Sequence, residues 1–160
     1  MRARLVLVTF VLGMAVVGAA VAGLNRNWST HAKGSLEVPA RDTDAQAQAI
    51  FHLSKDGTEL RYKVIASNIE NVLQSHIHLG GPGVNGPIVL WLYPSAPPAQ
   101  LIPGRSDGVL NEGTATAADL TGPLAGEPLS ALVDALNAGN AYVNVHTTQF
   151  PPGEVRGNID

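Results

Sequence analysis

Cysteine is absent from this chain, which removes disulfides, thiolate metal sites, cysteine nucleophiles and the lipoprotein anchor, since that anchor needs a cysteine to acylate. Aromatic residues are scarce, at 5%, and charged residues make up only 14%. Clusters of lysine and arginine are missing as well: 13 acidic residues face 10 basic ones, two of which, Arg2 and Arg4, fall at the extreme N-terminus. A nucleic-acid or other polyanion partner is therefore not expected. No Gly-x-Ser-x-Gly elbow occurs, and Ser75 and His76 are chain neighbours rather than a spatial nucleophile–base pair, so hydrolase chemistry has no support. Gly80, Gly81, Gly83 and Gly86 lack the Lys-Ser/Thr ending of a phosphate loop, and the prolines among them point to turns. There is no internal repeat and no low-complexity tract.

What is present begins with a leader. Arg2 and Arg4 precede an apolar run from Leu5 to Ala22 that ends in Ala20-Val21-Ala22 before Gly23, the pattern of a secretory signal with an A-x-A cleavage site. The run also reaches membrane-spanning length, so residues 1–22 are expected to be either a signal peptide or an uncleaved N-terminal anchor. Either way the folded part lies outside the cytoplasm, with the arginines inside. Residues 23–28 then form a short linker, with Trp28 expected at an edge or near the membrane, and residues 29–160 form the domain.

At 160 residues the chain has room for one domain with a core, and 17 glycines and 11 prolines suit a turn-rich β protein. Strands are expected over His31–Val38, Gln46–Leu53, Glu59–Ala66, Val72–Leu79, Ile88–Tyr93, Val109–Leu120, Ala141–Thr147 and Glu154–Ile159, with Pro94–Gly108 a proline-rich loop. One helix is expected over Pro128–Ala138, where Leu129, Leu132, Val133 and Leu136 fall on one face and Gly139 stands as its stop. Short strands with a single helix point to an all-β fold, a Greek-key β-sandwich or flattened barrel of the immunoglobulin or superoxide-dismutase kind.

The chemistry concentrates in His76-Ile77-His78. Histidines two apart on a strand point to one face, and His146, in the alternating run Tyr142-Val143-Asn144-Val145-His146, can supply a third imidazole from a neighbouring strand. Three ring nitrogens suit zinc or copper and leave a coordination position open. Binding of that kind is expected to fall as pH drops through about 6.5, the ordinary imidazole range. His31 is an outside candidate for a fourth ligand, while His52 is read as surface or packing. The competing reading is structural: the three rings bond to backbone in tight turns. Glu154 and Arg156 allow a salt bridge or a clamp on the Pro151-Pro152 turn, and Asn144 could cap a turn.

Several motifs carry a family resemblance. Ser35-Leu36-Glu37-Val38-Pro39, then His76-Ile77-His78 with Gly83-Val84-Asn85-Gly86-Pro87, then Ala141–Thr147 and Gly153-Glu154-Val155-Arg156-Gly157 together resemble a chordin-type (CHRD) domain of the bacterial kind, over roughly Ser29 to Asp160. The resemblance implies an extracytoplasmic β-rich module of largely undefined biochemical role; chordin itself binds growth factors outside the cell. On that footing a non-catalytic module whose loops at 80–87 and 94–108 bind a protein or glycan is the alternative to a metal site. The histidine pattern with a near-terminal Arg-Gly-x-Ile is also similar to the copper half of copper-zinc superoxide dismutases. That likeness implies His76, His78 and His146 as copper ligands and Arg156 as the catalytic cation that attracts an anionic substrate. This chain has no matching bridging histidine, no histidine and aspartate set for a zinc subsite, and no disulfide pair.

Overall fold

Residues 25–160 are described by a computed structural model; the leader and its Ala20-Val21-Ala22 site fall outside them. Among the described residues there are seven strands and one α-helix: β1 (Asn27–Lys33), β2 (Gln46–Leu53), β3 (Leu60–Leu79), β4 (Ile88–Tyr93), β5 (Ile102–Ala115), α1 (Leu129–Asn137), β6 (Ala141–Thr147) and β7 (Val155–Asn158). The all-β expectation holds, in the form of a barrel.

Local alternation makes each strand. In β1 and β2 every second residue is buried, so Trp28, Thr30 and Ala32 face inward with Ala47, Ala49 and Phe51. The first strand therefore starts earlier than expected and ends before a single 3-10 turn at Gly34–Leu36, with Leu36 exposed in that turn and Val38 exposed beyond it. Trp28 belongs to β1 rather than to a linker: it is buried, and its indole N–H donates to Asn137 Oδ1 at 3.2 Å.

The larger correction concerns β3. Glu59–Ala66 and Val72–Leu79 are two ends of one 20-residue strand. Between them Asn68 and Asn71 both take φ of 54°, the left-handed region that asparagine tolerates better than most residues, and the ladder to β5 shifts register there. The strand bends without breaking. Its first half pairs with β2, from Leu53↔Leu60 to Gln46↔Ser67, and its second half with β6, from Val72↔Thr147 to Leu79↔Ala141. Because the remaining order runs β2-β1-β7-β6-β3, this double pairing closes the sheet into a barrel, with β4 and β5 along the other edge of β3.

Strand β5 begins at Ile102, so the proline-rich loop is shorter than expected. It ends at Ala115, where Thr116 and Asp119 exchange side-chain-to-backbone bonds and turn the chain out of the ladder. Helix α1 matches its sequence signal. Its four buried residues, Leu129, Leu132, Val133 and Leu136, enter the core beside Phe51, Leu60, Ile77, Leu92 and Val143, each burial contributing roughly 1.5–3 kcal/mol. Gly139, at φ 65°, ends the helix.

Candidate metal centre

The site lies on the outer face of the barrel wall, where β3 and β6 run side by side. Period two sends Ser75 and Ile77 inward with Val143 and Val145, and sends His76, His78, Tyr142, Asn144 and His146 outward. Outward residues on a sheet are normally wet, yet all seven residues of β6 are buried. Three loop segments cover them. Residues 80–87 reach His78 and Tyr142, residues 148–154 reach His146, and the stretch after β1 brings Glu37 to Asn144.

Backbone carbonyls orient two of the rings. His78 Nδ1 lies 2.9 Å from the Gly86 oxygen and His146 Nδ1 2.8 Å from the Pro151 oxygen. A carbonyl only accepts, so each Nδ1 carries the proton and each Nε2 presents a lone pair. His146 Nε2 faces His76 Nδ1 at 3.2 Å, while the Nε2 atoms of His76 and His78 are buried without any partner. One donor atom from each of the three histidines lies within 4.8 Å of the others. Orphaned buried nitrogens are costly, and two of them beside a third histidine donor are an arrangement that an ion would satisfy, with carbonyl-held ligands of the kind that metal sites use.

The electrostatics keep the rings ready. Burial, and then repulsion from His146 and His78, pushes His76 down to about 3. Burial chiefly pushes His78 down to about 4, against the Gly86 bond, and burial also lowers His146. All three are neutral near pH 7, as ligation requires. The loss of binding expected near pH 6.5 from ordinary imidazole values therefore moves to lower pH.

Aromatic rings wall the cluster. Trp91 sets its ring edge-on to His76 at 4.3 Å, and Tyr142 stacks on His78 at 4.8 Å with 10° between the planes. On the far side of Tyr142, as the order β7-β6-β3 dictates, the Arg156 guanidinium sits 3.5 Å from the ring centroid. Arg156 has no exposed surface. Its Nη atoms donate to Asn85 Oδ1 at 3.1 Å, Gly81 O at 3.0 Å and Val84 O at 2.7 Å, so it clamps the same loop that carries Gly86. Neither a Glu154–Arg156 ion pair nor a clamp on the Pro151-Pro152 turn forms among the described contacts. Glu154 instead accepts from Thr43 and Thr147, both at 2.7 Å. Asn144 caps no turn; its amide donates to buried Glu37, whose carboxyl is pushed up by burial.

Two glycines make the covering possible. A side chain at Gly86 would overlap the Leu79 backbone, and one at Gly153, where φ is 133°, would meet Asn144 and Glu37 at 2.5 and 2.6 Å. His31 is not drawn in: it lies exposed on β1, bonded to Gln46 at 2.9 Å, and His52 is likewise exposed and bonded to Asn27. Tyr142 was within reach of sequence reasoning, being at period two from Asn144 and His146. The Gly86 and Pro151 carbonyls were not, because a backbone acceptor leaves no residue-type signal.

An all-β barrel bearing three converging histidines is the class of protein that the fold and site define. Among protein families, the CHRD domain model matches residues 28–159, and the chain belongs to the CHRD domain family. No curated protein and no solved structure matches it significantly.

Proposed function

We propose that this protein is an exported CHRD module that holds one transition-metal ion, copper or zinc, through His76, His78 and His146. The observation that carries the reading is the convergence of three histidine donors within 4.8 Å, with two ring nitrogens left unpartnered and buried. Export rests on the Arg2/Arg4 leader and its Ala20-Val21-Ala22 motif; among the described residues no helix is long and apolar enough to cross a membrane. A copper-dependent redox activity would ask Arg156 to meet an anion beside the metal. Its bonds to Gly81, Val84 and Asn85 favour a positioning role instead.

The second reading, a protein- or glycan-binding module with structural histidines, draws on Val84 and Leu101, which are 56% and 48% exposed within the 80–87 and 94–108 segments. Calorimetric titration of tag-free protein with copper and zinc separates the two. Wild type is expected to bind one ion, and the H76A/H78A/H146A variant to bind none. Equal, weak binding by both makes the histidines structural and gives the interaction module the lead.

A further inference from the structure

Resting on that metal-binding reading, we infer that the ion the centre selects is monovalent copper. Coordination number is the first reason. The group contains three histidines and no fourth histidine, cysteine, aspartate or glutamate among the described residues. Zinc is held almost always by four ligands, with water as the fourth where the protein supplies three. Here His76 is fully buried, His78 and His146 are 8% and 6% exposed, and the Trp91 and Tyr142 rings stand against His76 and His78. A site this enclosed disfavours added waters, and cuprous ion, with one charge fewer than zinc and the same filled d shell, is content with three donors.

Charge is the second reason. Three neutral imidazoles bring no negative charge, so a divalent ion would leave two uncompensated charges in a buried place and a cuprous ion only one. Behind Tyr142, Arg156 adds a fixed positive charge in line with His78, and every further unit of charge on the metal is repelled by it. The buried carboxylates nearby are engaged elsewhere: Glu37 takes the Asn144 amide and Glu154 two threonine hydroxyls.

The test titrates metal-free, full-domain protein anaerobically with cuprous ion and, separately, with zinc, each against a chromogenic chelator of that ion. Wild type should hold cuprous ion more tightly than zinc, and Arg156 should account for about tenfold of that ratio, the size of the effect of one extra unit charge at roughly 10 Å and an effective dielectric of about 20. Arg156→Met should narrow that ratio by about the same factor, and Arg156→Lys, which keeps the charge, should leave it near the wild-type value. X-ray absorption of the wild-type cuprous complex should give three nitrogen neighbours, independently of how any variant folds. Zinc binding equal to or tighter than cuprous binding, or four neighbours around copper, overturns the selectivity while leaving a metal site in place. Failure of wild type to take up either ion overturns both this inference and the metal-binding reading.

Discussion

The two halves of β3 alternate with the same period, their phase shifted at the bend, and end in different surroundings. In the first half, Leu60, Tyr62 and Val64 point into the barrel while Arg61, Lys63 and Ile65 face out, exposed or half-buried. In the second half, Ser75 and Ile77 point in and His76 and His78 face out, yet both histidines are buried. The strand is the same; the cover differs. Residues 80–87 and 148–154 lie over the second half, and their carbonyls decide what the outward residues can be. A polar side chain under such a lid must find a partner, and here the carbonyls satisfy one nitrogen of His78 and of His146 and aim the other at a common point.

The sharpest way to break the comparison is to exchange residues one position apart. Ile77→Ala empties an inward site in the core and should cost about 2–5 kcal/mol of stability while leaving metal uptake intact. His76→Leu removes two ring nitrogens, one of them unbonded and the other shared only with His146. It should change the stability of the metal-free protein by no more than about 1 kcal/mol and abolish tight metal binding. Denaturant melts with and without metal decide the matter: a large loss for His76→Leu in the absence of metal means that the ring is structural.

The same comparison shows what could be read in advance. His76, His78 and His146 were legible because strand periodicity alone puts them on one face, and α1 was legible because its four leucine and valine positions repeat at helical spacing before Gly139. The bend of β3 was not, since Asn68 and Asn71 read as an ordinary turn signal between two strands, and only pairing with β2 on one side and β6 on the other shows the strand continuing. Arg156 misled for a related reason. Its chemistry suggests an anion partner, but burial surrounds it with the carbonyls of residues 81 and 84, and a carbonyl partner cannot be inferred from residue type.

The covered half should also respond to pH. Since His76 and His78 sit at about 3 and 4 in the fold, against about 6.5 when unfolded, the unfolded chain takes up protons that the folded chain refuses. Between roughly pH 6.5 and 4 the metal-free protein should therefore lose stability as pH falls, by up to about 1.4 kcal/mol per unit for each histidine. The His78 part should level off below about 4 and the His76 part below about 3. Chemical denaturation of the metal-free form across this range measures it, and the H76A/H78A/H146A variant should flatten the slope. A pH-independent midpoint in wild type would mean that the rings are solvated rather than covered.

The smallest effect belongs to the uncovered half. Lys63 and Glu112 form a 2.8 Å ion pair between β3 and β5, with 44% and 63% of their side chains exposed. In water of ordinary ionic strength such a pair gains little Coulomb energy and loses side-chain freedom when it forms. A Lys63→Ala, Glu112→Ala double-mutant cycle should give a coupling of no more than about 0.5 kcal/mol, shrinking further in molar salt, and neither substitution should alter copper or zinc uptake. If Lys63→Ala instead weakened metal binding, the two halves of β3 would be coupled through the bend at Asn68 and Asn71, and the covering loops would no longer suffice to explain why only one half carries the site.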